Sequence, residues 1–422
     1  MKVFKFGGAS VSTADRIKKV GEILKKHSNE KLLVVVSAMG KTTNALEKVV
    51  EAFYSGKQQK ALELFKDIKQ DHLALVDQLT SFSNLPLTIH HSLTDFFTEV
   101  EWLLHDKPAR NFDYYYDQVV CVGELLSSAI VSDYLNCVGV NNQWMDVRDI
   151  IRTDDNFRDA KIDWQFTAQR VNECILPLFE QNNIVLSQGF IGATDENEST
   201  TLGREGSDYS AAVFANLLNA ESQTIWKDVQ GVMNADPKQY ANAQWIKELN
   251  YQEVIEMAYY GAQVIHPKTI KPLQNKNIPL YVRSFIHPDE EGTCIQANNL
   301  NHLPPIIVYK QKQVLIELKS KDFSFVGEGL TAEVDEIFRF IKFKPNLIQT
   351  AAISILCVVD DYSDKVHEFA LKASNSFDVV TTKDLTLLTI RHYDKQILAE
   401  LIGTKQTVLR QQTPDTIQVL VK

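Results

Sequence analysis

Apolar positions along this chain fall into two rhythms. Short unbroken runs, Lys2–Phe6 (KVFKF) and Leu32–Val36 (LLVVV), each stop at glycine or serine, as strands buried on both faces do where they enter a turn. Between them, Ser12–Lys26 carries its apolar residues at helical spacing. Strand, helix, strand in that order predicts a parallel sheet with helices on its faces. Thr43–His105, including ALELFKDIKQDHLALVDQL, predicts helices packed beside that sheet. Ile184–Leu186, Ile225–Trp226 and Leu280–Val282 read as further strands. Ligand sites in open α/β sheets gather at the carboxyl ends of strands, and the polar, glycine-rich stretches here follow directly on such runs.

The rhythm shifts near Asn298–Pro305 (NNLNHLPP), which reads as a linker. Beyond it the strand-like runs VLIEL, AISILCVV, LTLLTI and TIQVLVK are interleaved with two helical runs, predicting a small α+β region of one or two modules. The expected fold class is therefore α/β with a mostly parallel sheet, followed by small α+β modules.

Length supports this division, since 422 residues exceed what one core usually absorbs. A formal charge of -10 argues against a nucleic-acid partner, while leaving room for a locally basic site. The start, MKVFKFGG, shows no basic leader, and no run approaches the roughly 18 apolar residues of a membrane span, so no membrane partner is expected. The five cysteines are scattered without a CxxC pair, which fits a reducing cytoplasm and argues against a zinc site or a disulfide framework. The histidines form no HExxH.

Six stretches carry chemistry. Lys5-Phe6-Gly7-Gly8-Ala9-Ser10 places glycines and a lysine after a strand, where backbone N–H groups can approach phosphate oxygens. Ser37 to Asn44 contains GKTT, but Val35 stands where a P-loop requires glycine, so a P-loop is rejected; the hydroxyls of Ser37 and Thr43 suit a carboxylate or a helix cap. Gly123-Glu124-Leu125 places an acid near a helix start, to favour the macrodipole or to hold an ammonium group. Thr201 to Ala211 joins Gly203, Arg204, Glu205, Gly206, Ser207 and Asp208 in one loop entering an apolar helix. There Arg204 can grip a carboxylate, and Asp208 can position a lysine or Mg²⁺. Trp226–Lys238, with Lys227, Asp228, Met233 and Lys238, reads as a surface loop or a nucleoside cradle. In Gly261–Thr269, His266-Pro267 marks a helix start.

In order and spacing, KFGGAS, SAMGKTTNAL, GELLSS, GREGSDYSAA, KDVQGVMNADP and GAQVIHPKT resemble the successive signature segments of aspartate kinases. The resemblance covers Met1 to about Cys294, and the tail resembles that family's paired ACT regulatory modules. It implies the amino-acid-kinase α/β/α sandwich over residues 1–297 and an ACT region over 306–422. It also implies ATP, Mg²⁺ and L-aspartate as ligands, with 4-phospho-L-aspartate as product. By matching segments, Lys5, Phe6, Gly7 and Gly8 would face the phosphates, with Asp208 orienting Lys5. Ser37, Thr43, Glu124 and Arg204 to Ser207 would hold aspartate. Lys227, Asp228, Met233, Lys238, Gln263 and Val264 would hold ATP, and Mg²⁺ would be bound through the phosphates. A homodimer or higher oligomer through the ACT modules is implied, together with an amino-acid effector.

The chain departs from the family pattern in four places. Ala9 stands for a common threonine, Glu205 for a glycine after the arginine, and Gln263 for a lysine. In the tail, Thr350-Ala351-Ala352 stands for Thr-Ser-Glu, which removes a partner for an effector's ammonium and predicts weak or absent lysine inhibition. With no GxGxxG dinucleotide motif, no homoserine dehydrogenase domain is expected. The rival readings are another kinase of the same fold, acting on glutamate, acetylglutamate or uridylate, and a catalytically silent amino-acid sensor.

Overall fold

The computed structural model describes residues 1–83, 90–298, 302–322 and 325–422. The chain divides into two compact units. One comprises Met1–Val232, Trp245–Ile255 and Val264–Leu300; the other comprises Met233–Gln244, Glu256–Gln263 and Asn301–Lys422. Part of the expected linker, 299–301, lies outside the described residues.

The first unit is built on ten strands: β1 (Lys2–Phe6), β2 (Leu32–Val36), β3 (Gln143–Trp144), β4 (Ile184–Gln188), β5 (Ile191–Ala193), β6 (Ser199–Thr201), β7 (Ser222–Lys227), β8 (Glu248–Asn250), β9 (Leu280–Ser284) and β10 (Thr293–Gln296). Eight of them form one sheet in the order β3-β4-β2-β1-β7-β9-β10-β8. All pairs are parallel except β9 with β10. The unbroken apolar runs are explained by position, because β2 and β4 are buried at every residue. β1 lies between β2 and β7, so Lys5 is registered against Val35 and Ile225. Phe6 stacks on Trp226 of β7 at 6.0 Å, sealing the sheet beneath the loops. Each such fully buried aromatic contributes on the order of 2 kcal/mol.

The first helix starts at Ala14, where the Thr13 side chain accepts from the Arg16 N–H, and it buries Ile17, Val20, Ile23 and Leu24. The predicted helical region resolves into Thr42–Tyr54, Gln58–Ser83 and His90–His105. The consecutive helices Phe112–Val120 and Val122–Cys137 make a 26-residue stretch long and apolar enough to cross a membrane, and 89% of its apolar window is buried inside the fold. It is apolar because helices and sheet cover it.

The second unit holds a six-stranded antiparallel sheet of β11 (Ile306–Ser320), β12 (Leu347–Thr350), β13 (Ser354–Asp360), β14 (Phe377–Arg391), β15 (Thr407–Gln412) and β16 (Thr416–Val421), in the order β12-β13-β11-β14-β16-β15. Among the described residues three helices, Glu328–Phe340, Ser363–Ala373 and Lys395–Ile402, accompany it where two were expected. The third (KQILAELI) is short enough to pass for a strand. β11 and β14 are each 15 residues long and shift register at Lys310/Gln313. Past that shift their halves serve separate cores. Val314, Ile316 and Leu318 pack with Phe338 and Phe369, while Ile307, Leu388 and Ile390 pack with Ile397 and Leu401. Two α+β modules share two continuous strands, the arrangement of ACT modules. The segment matched to the family's first ACT loop, around Ser320–Phe340, includes 323–324, outside the described residues.

Candidate active site

A cleft of about 430 Å³ opens at the carboxyl ends of β1, β2 and β4. Its lining brings together Lys5, Gly8, Ser37, Thr43, Glu124, Arg204, Glu205, Gly206, Ser207 and Asp208 from segments far apart in sequence. Strand ends in a parallel sheet converge in this way because the helices that follow them leave toward either face.

The floor is a buried ion pair. Lys5 Nζ lies 2.5 Å from Asp208 Oδ1, with both side chains nearly enclosed. Burial alone would raise the Asp208 carboxyl, but the Lys5 and Lys227 ammonium groups hold it below the usual carboxylate range. Asp208 therefore stays charged and fixes the Lys5 head group. Gly8 makes the adjoining turn close enough, since a Cβ there would meet the Ala38 carbonyl at 2.5 Å. Gly189 does the same beneath the loop, where a Cβ would lie 2.6 Å from Ser207 Cβ.

Glu124 forms one wall. It is 3% exposed and its Oε1 accepts from the Ala38 N–H at 3.3 Å, but its Oε2 has no donor among the described residues. Burial pushes this carboxyl up to about 8. Arg204 forms another wall; it is exposed and has no hydrogen-bond or ion-pair partner among the described residues. Ser37 closes the corner, its carbonyl taking the Ser127 hydroxyl at 2.6 Å, while Thr43 sits in the first turn of Thr42–Tyr54.

Three lining or supporting residues were missed from sequence. Arg158 and Tyr116 line the cleft with Thr201. The Arg158 guanidinium stacks 4.3 Å from the Tyr116 ring centroid and pairs with Asp113 at 3.2 Å and Glu47 at 3.6 Å. Behind them, the buried Asp117 accepts from the N–H groups of Arg158 (3.0 Å) and Thr201 (2.7 Å), and from the Thr201 hydroxyl (2.7 Å). Burial pushes Asp117 up to about 7. An aspartate among apolar residues of the helix Phe112–Val120 was the one signal available in the sequence.

Of the residues matched to ATP, Phe6 lies buried in β1 and Gly7 begins the turn after it. Lys227 donates to the Val264 carbonyl at 2.8 Å within the first unit, and Asp228 follows it there. Met233, Lys238 and Gln263 lie on segments that cluster with the second unit.

Residues 1–284 match the amino acid kinase family. The lysine-sensitive aspartokinase 3 of Escherichia coli is 32% identical over 361 residues, covering 85% of this chain and 78% of that protein. The chain belongs to the aspartokinases of the amino acid kinase family. In solved structures, it is similar to the aspartokinase III of Escherichia coli in complex with aspartate and ADP, an R-state, with TM-score 0.82 and 28% identity. It is equally similar to that enzyme in complex with lysine and aspartate, a T-state, with TM-score 0.83 and 27% identity. Each covers 100% of this chain and 96% of the other. The chain spans 32% of the bifunctional aspartokinase/homoserine dehydrogenases of Arabidopsis thaliana that it also matches. Family membership gives the arrangement chemical sense, because a phosphotransferase acting on an anionic acceptor needs cations at the end of β1. It also makes the chain a nucleotide-using kinase.

Proposed function

We propose that this cleft is where the aspartokinase transfers the terminal phosphoryl group of ATP to the side-chain carboxylate of L-aspartate, giving 4-phospho-L-aspartate, the first step toward lysine, threonine and methionine. One observation carries the assignment: two unspent, opposite groups face one small cleft. Among the described residues, Arg204 offers an unpaired guanidinium, and Glu124 offers a buried oxygen without a donor. The α-carboxylate and α-ammonium of an amino acid satisfy both, leaving the side chain free to react. Ser37, Thr43 and Ser207 supply the remaining polar contacts. Glu205 contributes through its backbone, since its carboxylate is already engaged by the His266 N–H.

A side-chain carboxylate titrates near 4, roughly, and so attacks without a base. The obstacle is repulsion between that anion and the polyphosphate, and catalysis consists of positioning and charge neutralisation. Lys5, steadied by Asp208, faces the transferred group. The Gly7-Gly8 turn lets the backbone approach it, and the N-terminus of the helix Gly206–Leu217 adds positive potential. Lys227, Asp228, Met233, Lys238, Gln263 and Val264 hold the nucleotide. Mg²⁺ would be held through the phosphate oxygens of the nucleotide. When bound, Mg²⁺ supplies further neutralisation of the phosphate charge. Residues 1–297 carry catalysis and 306–422 regulation, in a cytoplasmic enzyme that self-associates through its ACT modules and responds to an amino acid.

ADP release in a coupled assay tests the reading. Turnover should require aspartate and Mg²⁺ and fail with glutamate, acetylglutamate or uridylate. Lys5→Ala should lower kcat by about a hundredfold or more, with a much smaller change in the KM for aspartate. Unchanged turnover in that variant would remove Lys5 from the reaction, and no aspartate-dependent turnover in the unaltered chain would favour the silent sensor.

A further inference from the structure

The loop Gly203–Asp208 holds a left-handed residue where a side chain is costly. Glu205 has φ +54° and ψ +29°, a region in which Cβ crowds a neighbouring carbonyl. Glycine enters it freely, and another residue persists there when the surrounding structure holds it in place. The Glu205 carboxylate does so. Its Oε2 accepts the backbone N–H of His266 at 2.9 Å, at the entry to the helix Pro267–Gln274. That end of a helix favours an anion. The Glu205 carbonyl meanwhile accepts from Asp208 N at 3.1 Å and Tyr209 N at 3.2 Å, closing the first turn of Gly206–Leu217. One residue thus joins the starts of two helices, between Arg204 on one side and the Asp208–Lys5 pair on the other. A second tie stands nearby: Lys268 pairs with Asp159, whose carboxylate packs beside Gly203.

We propose that Glu205 is a positioning residue, a strap that fixes the Arg204–Asp208 loop against the His266 turn and keeps the Arg204 guanidinium in the cleft for the substrate's α-carboxylate. This rests on the role given to Arg204 above. The carboxylate that stands here for the family's glycine is spent on the protein's own backbone.

Three variants separate strap from strain. Glu205→Gly removes both, Glu205→Ala removes the strap and keeps the left-handed backbone, and Glu205→Gln retains an acceptor oxygen. The KM for aspartate should rise about tenfold in Glu205→Gly and at least as much in Glu205→Ala, with kcat moving less than about threefold, and Glu205→Gln should restore it. Amide hydrogen exchange gives a readout independent of turnover. Exchange at His266 should quicken in Glu205→Gly and stay slow in Glu205→Gln. An unaltered KM together with unaltered exchange in Glu205→Gly overturns the proposal, as does a Glu205→Gln variant no better than Glu205→Gly. If the unaltered chain fails to turn over aspartate while exchange at His266 responds as expected, the strap stands and the substrate reading falls alone.

Discussion

Glu124 shows how one atom without a partner becomes a measurable property. Its carboxyl lies well above the ordinary carboxylate range, at about 8, because burial penalises the charged form. In the empty cleft at neutral pH it is mostly protonated. A carboxyl raised in this way contributes stability that is complete below its ordinary pKa and is lost as pH rises through about 8. An arriving ammonium reverses the preference and draws the proton off. Aspartate binding at pH 7 should therefore release a proton, and kcat/KM for aspartate should rise between roughly pH 6.5 and 8.5. Glu124→Gln should flatten that limb and raise the KM about tenfold or more. Asp117, at about 7, stands behind the same cleft, so Asp117→Asn is the control. A limb that survives in Glu124→Gln would assign the titration elsewhere. At this scale the sequence was most readable where backbone demands exposed the chemistry. Lys5, Glu124 and Arg204 stand beside glycines that close approach requires. Arg158 and Asp117 lack any such marker. Arg158 reaches the cleft through a left-handed backbone (φ +69°), and Asp117 does its work behind the surface.

Among elements, long runs with one rhythm were legible and short ones were not. β1 and β2 lie where their apolar runs predict, because central parallel strands are buried on both faces. β3, β5, β6 and β8 have two or three residues each, too few to show a period. The junction between a strand and the next helix is where packing is least forgiving. At Gly206 a Cβ would lie 2.6 Å from Phe190 Cδ2 and 3.2 Å from Phe190 Cα. Gly206→Ala should cost about 1–3 kcal/mol and lower Tm, and by displacing the loop it should also weaken aspartate binding. Gly329, in the helix Glu328–Phe340, has nothing within 4 Å of its Cβ position, and Gly329→Ala should raise Tm slightly, by about 0.5–1 kcal/mol of stability. Thermal unfolding of the pair, side by side, checks both signs; a stabilised Gly206→Ala would refute the packing account.

On the scale of the whole chain, a net charge of -10 coexists with a cleft lined by Lys5, Arg158 and Arg204, so bulk charge said little about the ligand. The shared strands of the second unit were not foreseeable, because nothing in a 15-residue strand announces that its halves serve different cores. In that unit Thr350 and Ala351 are exposed at the end of the edge strand β12, with no carboxylate where the family pattern has one. Phe340 and Leu371 are 71% and 59% exposed, apolar surface of the kind a second copy covers. Sedimentation should therefore show self-association. Lysine below about a millimolar should leave most activity intact, and tight inhibition in that range would contradict the reading of Ala352.

The chain passes to the second unit after Val232, returns at Trp245, leaves again after Ile255, returns at Val264, and ends in the second unit. The two units are interleaved in sequence, which makes the second inseparable by a single cut. Ending the chain near residue 300 would strip Ala235 of the core it shares with Ile307 and Leu388, and Asn234 of its acceptor at Pro305. The segments left stranded carry Met233, Lys238 and Gln263, the residues proposed to hold the nucleotide. A single cut there would disturb those segments as well as the sheet of the second unit.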